Sequence, residues 1–304
     1  MTNKLIDLLF GSLFIVVLLN GCSTTLSDRK ENLAFSTEPY DANWQDDYIL
    51  RTKSPFSISL SLVDSVIVVN QPVLVRLTFE NHSNEAIRVD LGEDFKQGLS
   101  FTVTSPGQKR TKLPSLTREG ISREGVFWLK SQQTYSQNIV LNEWTEFPKI
   151  GNYKVEMQMT NPIRTAGGET HPFTERATVA LDVKPEDSQY LRSIAVNLEE
   201  RLQQSKTYAE AAEIALALSY VQNPVAVPSL QQALLSDKMV ESVIINSLRQ
   251  QSGNESIDVL TGVIEKAPNS EAAIQARSAL EWMERQISDS QLKERIRSFR
   301  NGKN

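Results

Sequence analysis

Cys22, His82 and His171 are the only cysteine and the only two histidines of the 304-residue sequence, so thiol, imidazole or Cys/His metal chemistry would fall to them. A single cysteine cannot form an internal disulfide, and the set is too small for the usual zinc sites. His82 sits in a predicted turn and His171 in the loop around Gly167, Gly168 and Pro172, without paired cysteines or His-x-x-x-His spacing. Both read as solvated loop residues. The carboxylate pairs Asp46-Asp47 and Glu199-Glu200 are adjacent, so their side chains diverge on a strand or helix and read as solvated charge. No Gly-x-Ser-x-Gly elbow, His-Glu-x-x-His pair or phosphate-cradling glycine loop occurs. Gly167-Gly168 reads as a hairpin tip that uses positive φ. The expectation is no catalytic residue, no metal site and no cofactor, and therefore a protein that is not an enzyme.

Composition narrows the partners. Lys plus Arg number 32 against 37 for Asp plus Glu, a net charge of −5 that offers no attraction to nucleic acid. Nucleotide binding likewise lacks its marker loop. With 40% hydrophobic and 23% charged residues the chain is of ordinary globular composition, which excludes a wholly disordered, collagenous or polytopic membrane protein. Its length suits one or two domains.

Cys22 gains meaning from what precedes it. The apolar run from Leu8 to Leu19 is shorter than the ~20 residues a membrane-spanning helix needs. Preceded by Lys4 and followed by Gly21, it has the order of a secretory signal. Leu18-Leu19-Asn20-Gly21-Cys22 resembles the lipobox of bacterial lipoproteins. That resemblance implies that residues 1–21 are a signal peptide and that Cys22 is acylated and begins the mature chain. An ordinary cleaved signal is the alternative. With Ser23 next, the same family implies sorting to the outer membrane, on the periplasmic face of the cell envelope. Several acyl chains, at about 0.8 kcal/mol per buried methylene, anchor stably where one does not.

Residues 22–55 are polar, mixed in charge and without a sustained period, the composition of a lipidated tether. Phe35, Tyr40, Trp44 and Tyr48 are unusual in a linker, so docking of the Tyr40 to Ile49 part on the body, a solvated tether and a partner-binding segment all stay open. Residues 56–185 then alternate with period 2. Phe56, Ile58, Leu60 and Leu62 form one inward set; Val73, Val75, Leu77 and Phe79 a second; Tyr153 through Met159 and Ala177 through Val183 two more. Shorter strand candidates lie at Ile87–Leu91, Leu99–Thr104, Lys109–Leu113 and Tyr135–Leu141. Seven to nine short strands of this kind lead to a two-sheet β-sandwich. The stretch from Asn142 to Met159, with Trp144, Phe147 and Gly151-Asn152-Tyr153, resembles the corner of immunoglobulin-like sandwiches. It implies that Tyr153 donates its hydroxyl to backbone in the preceding turn, with Trp144 and Phe147 packed beneath it.

After Pro185 the period changes to 3.6. Leu191, Ile194, Ala195, Leu198 and Leu202 share a helical face. Thr207-x-x-Glu210 predicts a capping box, Asn223-Pro224 a second helix start, Asp237 a cap, Gly253 a stop, Asn254 a cap, and Pro268 with Ser270 another break. Leu218 and Leu248, Leu230 and Leu260, and Leu234 and Ile264 are each 30 residues apart, and Leu280 follows Leu248 by 32. A period between 20 and 50 marks stacked helical hairpins. The segment from Ala217 to Asp237 resembles a short HEAT-type repeat, with Arg277 the one match to the arginines common in that family. Residues 186–304 are thus expected to be a HEAT-like α-helical domain, a plain helix bundle being the alternative. The basic helix around Leu292, Ile296 and Phe299 reads as a cap on the array or, more sharply, as a membrane-surface helix.

The expected architecture is multi-domain β + α, an immunoglobulin-like β-sandwich followed by a HEAT-like hairpin array. The expected function is a membrane-anchored envelope lipoprotein acting as a non-enzymatic protein-binding or scaffold module. Its partners would be membrane lipid, through the acylated N-terminus, and an envelope protein docked on a surface the sequence leaves unknown. A protease inhibitor built on the sandwich and an enzyme of unrecognised class are the alternatives.

Overall fold

The computed structural model describes residues 56–92, 95–116, 125–159, 161, 163–171, 176–236 and 238–301. The expected signal peptide, Cys22, the expected tether with its aromatics, Asp46-Asp47 and Asp237 lie outside the described residues. A β-rich N-terminal part is followed by a helical C-terminal part, as the change of period at Pro185 implies.

Twelve strands form three sheets among the described residues. Strands β1 (Phe56–Leu62), β3 (Leu74–Asn81) and β8 (Thr134–Val140) make an antiparallel sheet in the order β1-β3-β8. A five-stranded sheet has the order β2-β12-β9-β5-β6, from β2 (Ile67–Val68), β5 (Leu99–Thr104), β6 (Arg110–Lys112), β9 (Gly151–Met159) and β12 (Arg176–Lys184). The third, β11-β10-β4-β7, is built from β4 (Ile87–Asp90), β7 (Val126–Leu129), β10 (Ile163–Thr165) and β11 (Thr170–His171). Alternation decides what each strand buries: Tyr153, Val155, Met157 and Met159, and opposite them Ala177, Val179, Leu181 and Val183, are all buried. Inward residues of all three sheets, among them Phe79, Ile87, Phe101 and Val155, share one core.

Around Tyr153 two of the expected contacts differ. The Lys149 N–H donates to Tyr153 Oη at 3.0 Å, so the hydroxyl accepts rather than donates. Phe147 meets Tyr153 edge-on at 5.3 Å, while Trp144 packs on Phe101 at 4.7 Å instead of beneath the tyrosine.

Among the described residues seven α-helices follow: α1 (Ser188–Gln204), α2 (Tyr208–Ser219), α3 (Val227–Leu234), α4 (Glu241–Gln251), α5 (Asn254–Lys266), α6 (Glu271–Gln286) and α7 (Ser290–Asn301). Asp187 caps α1, Thr207 caps α2, Ser270 caps α6 and Asp289 caps α7 through side-chain oxygens. Asn223 starts a 3₁₀ turn, Pro224–Ala226, that runs into α3. Two predicted breaks shift. Helix α4 begins after Val240, later than a cap at Asp237 would place it. It ends with Ser252 in the left-handed region at φ 51°, so Gly253 is the residue before α5 rather than the stop of α4, and Asn254 is the first helical residue rather than the cap.

The spaced leucines are core. Leu218, Leu248 and Leu280 are at most 1% exposed and bring α2, α4 and α6 side by side, and Leu230 and Leu260 are fully buried on α3 and α5. Ser247 Oγ donates to the Ser219 carbonyl at 3.1 Å and Gln251 Nε2 to the Val221 carbonyl at 3.1 Å, tying α4 to the end of α2. Helix α7 closes the array. Ile296 is buried, Leu292 and Phe299 pack on the helical core, and Arg297 and Arg300 hold Glu284 of α6, both at 2.8 Å. Its apolar face and two of its arginines are thereby occupied within the chain, which is how a cap behaves.

The two parts share side chains. Leu74 and Val140 point to the outer face of their sheet, where alternation predicts water, and instead join the helical core together with Val68. Glu186, in the connection to α1, accepts from Asn70 and, at 2.8 Å, from Asn223 Nδ2, pinning a strand loop to the turn before α3.

Candidate functional site

The outer face of β8 does not lie flat on the helices. Leu74 and Val140 make contact at one end, while Arg76, Ser136 and Asn138 on the same face are polar and stand off from α1 and α2. The gap is a cleft of about 380 Å³, a size in the range of ligand-binding pockets. Its strand wall is Arg76, Ser136, Gln137 and Asn138, and its helix wall includes Arg201, Glu210 and Glu213.

Gln137 is the fixed point. It is 8% exposed, and its Nε2 donates to both carboxylate oxygens of Glu213, at 2.9 and 2.8 Å, and to the Asn138 carbonyl at 3.0 Å. Lys96, at the cleft edge, is paired with the buried Glu143. Glu210 closes the capping region of α2 by accepting from the Lys206 N–H at 3.0 Å. The guanidinium of Arg201 has no hydrogen bond or ion pair among the described residues, and that of Arg76 reaches Asn138 Oδ1 at 3.4 Å. Behind Arg201, burial pushes the Asp64 carboxyl above the usual carboxylate range, against a hydrogen bond from Gln71 and the favourable field of Arg201. Both signs of charge and several amide and hydroxyl groups therefore face one cleft. Such a lining suits a polar, hydrogen-bonding chain.

The residues first suspected of chemistry are dispersed. His171 belongs to β11, where it pairs with Ile163, rather than to a loop. His82 follows β3, and its Nε2 lies 2.7 Å from Ser57 Oγ. Ser57 and Glu80 are cross-strand partners, and Glu80 Oε2 lies 3.6 Å from the same Nε2. A serine-histidine-acid relay needs the acid on the other ring nitrogen, Nδ1, to orient the imidazole. With hydroxyl and carboxylate on one nitrogen, this trio is a hydrogen-bonded surface cluster. Glu199 accepts from Gln203 Nε2 at 3.1 Å while Glu200 is exposed, so that carboxylate pair diverges. Gly168 has φ +87° in the β10–β11 turn, the hairpin tip expected of it. Arg277 bonds the Pro268 carbonyl at 2.6 Å and braces the turn before α6. Among the described residues no three His, Cys, Asp or Glu side chains come together as metal ligands, and no helix is long and apolar enough to cross a membrane.

Sequence reading missed the cleft because its walls come from β3, β8, α1 and α2, and each residue alone is an unremarkable polar side chain. The available hint was Leu74 and Val140, apolar residues on strand positions that should face water.

No family model and no curated protein matches the chain. Solved structures match parts of the chain only at low similarity. The sporulation control protein Spo0M of Bacillus subtilis is 8% identical over 48% of this chain and 56% of its own, with a TM-score of 0.25. BslA, a bacterial hydrophobin, is 12% identical over 45% of this chain and 98% of its own, with a TM-score of 0.23. The alpha-2-macroglobulin of E. coli is 10% identical over 80% of this chain and 22% of its own, with a TM-score of 0.28.

Proposed function

We propose that the chain is a lipid-anchored envelope protein that binds another protein without performing chemistry on it, with the cleft between β8 and α2 as the contact. The observation that carries this reading is the mixed lining of that cleft. An extended polypeptide offers donors and acceptors along its backbone and charges of both signs, and Ser136, Asn138, Arg201 and Glu210 complement all of these. Rigid support favours it too: the Gln137–Glu213 bonds hold the two walls in register, so little order has to be created on binding.

In this reading the β part is an immunoglobulin-like sandwich, with three sheets where two were expected, supported by the single core that the sheets enclose and by Phe147 packed edge-on against Tyr153. The helical part is a HEAT-like array, supported by the buried leucines at matching positions of α2, α4 and α6. Cys22 carries the acyl chains, and the segment up to residue 55 spaces the body from the outer membrane. Anchoring raises the local concentration of the cleft near other membrane-bound proteins.

Two measurements test the reading. Labelled palmitate should enter the wild type and not Cys22→Ala; an unlabelled wild type removes the anchor. A photo-crosslinking residue at Ser136 should capture one envelope protein in intact cells, and Arg201→Glu should abolish that capture. Capture unaffected by Arg201→Glu removes the cleft.

A further inference from the structure

The outer face of the sheet β11-β10-β4-β7 sets three large side chains in a row. Arg164 of β10 stands opposite Arg88 of β4, and Arg88 stands opposite Trp128 of β7. With neighbouring strands about 4.8 Å apart, the row extends roughly 10 Å. Arg88 is held by Asp90 on its own strand, Nη2 to Oδ2 at 3.2 Å. Arg164 is exposed and has no hydrogen bond or ion pair among the described residues. Trp128 is 56% exposed.

Two features of this row are unfavourable for the chain alone. Like charges directly opposite each other on adjacent strands repel, and one carboxylate offsets only one of the two guanidiniums. A large indole also stands in water, although Phe127 and Leu129 on either side of it turn inward to the core. An anion on the two arginines relieves the first, and a flat apolar face on the indole relieves the second.

We propose that this row binds a sugar chain bearing carboxylate groups, with the C–H face of one ring on Trp128 and a carboxylate held by Arg164 and Arg88. Arginine suits the role because its planar fork meets both oxygens of a carboxylate. The surroundings of Trp128 favour a sugar over a protein. A protein hot spot works inside a ring of contacts that excludes water, whereas on this face the register sets Trp128 beside Arg88, with Arg164 one strand further on and Asp90 and Val126 as the adjacent pair. A sugar ring presents hydroxyls around its edge and tolerates that polar setting. The site is separate from the cleft between β8 and α2 and does not rest on protein binding there.

Calorimetric titration of the purified full-length chain tests it, with oligogalacturonate as the carboxylated probe. Neutral chitin oligosaccharide, dextran sulfate and a Glu-rich peptide serve as comparisons. Oligogalacturonate is expected to bind and to weaken as salt rises. Its affinity should fall roughly tenfold or more in Arg164→Gln and in Trp128→Ala, and Arg164→Lys should restore part of it. Thermal midpoints equal to wild type would establish that these exposed replacements leave the fold intact. The proposal is overturned if oligogalacturonate does not bind, if the neutral chain binds as tightly, if dextran sulfate is preferred, or if Arg164→Gln changes nothing. A Glu-rich peptide that binds more tightly than the sugar would assign the row to a protein partner and overturn it as well.

Discussion

Gln137 Nε2 lies 2.9 and 2.8 Å from the two carboxylate oxygens of Glu213, so a single amide ties β8, an edge strand of its sheet, to α2. Hydrogen bonds to a charged partner contribute about 1.5–3 kcal/mol, and a buried group left without its partner costs more than a clean deletion of both. Gln137→Ala and Glu213→Ala should each lower stability in urea denaturation. The double variant should lose less than the sum, by about 1–2 kcal/mol of coupling. Additive losses would mean that the two residues act separately and that the cleft is not held by this pair.

The same pair marks how far the sequence was legible. The inward sets of β1, β3, β9 and β12 follow from alternation, because a strand buried on one face has to place every second residue in the core. Helix α1 follows in the same way from Leu191, Ala195, Leu198 and Leu202, all buried. Strands β2, β7, β10 and β11, of two to four residues, escaped because so few periods give no pattern of their own, whereas β4 and β6, equally short, were legible at Ile87–Leu91 and Lys109–Leu113. Trp128 was lost with β7: within the run Val126-Phe127-Trp128-Leu129 the sequence alone does not tell which residue faces out. Neither the cleft nor the arginine row has a local signature, since each depends on which strands become neighbours.

Gly98 is a position where a methyl group has no room. A Cβ there would lie 2.5 Å from the Leu91 Cα and 2.6 Å from its carbonyl oxygen, and backbone cannot step aside as a flexible side chain can. Gly98→Ala is expected to cost about 1–3 kcal/mol, the usual range for forced overpacking. Gly107, with nothing within 4 Å of its would-be Cβ, is the matched control, and Gly107→Ala should leave the denaturation midpoint nearly unchanged. Equal midpoints for the two variants would refute the close approach of residues 91 and 98.

Leu248 stands at the centre of the helical array, fully buried on α4 between α2 and α6. Removing its side-chain carbons loses both transfer energy and packing, so Leu248→Ala should destabilise by about 2–5 kcal/mol. Ile274, on α6 but 51% exposed, should tolerate alanine within about 0.5 kcal/mol. Because Leu74 and Val140 share the helical core, the Leu248 variant should lower the unfolding midpoint of the β part too. Near-ultraviolet circular dichroism, in which Trp144 and Tyr153 report on the β part and Trp282 on the helices, reads both. Separate transitions would argue that the shared core does not couple them.

Acid should loosen α7 first. The Glu284 carboxyl is held below its ordinary value of 4.5, chiefly by the hydrogen bond from Arg297 and further by Arg300. The unfolded chain therefore takes up that proton at a higher pH than the folded one does. The stabilisation is complete above the ordinary value and is lost as pH falls through the lowered one. Side chains this close to solvent are screened by salt, so the effect should shrink at high ionic strength. Hydrogen exchange of the α7 amides, measured from pH 6 down to pH 3, should speed up relative to α4 after correction for intrinsic rates. Glu284→Gln removes the titrating group and should flatten that relative change, weakening α7 most at pH 6, where the wild-type carboxylate is charged, and least at pH 3. An unchanged profile in Glu284→Gln would show that the hold of Arg297 and Arg300 on α6 does not depend on this carboxylate.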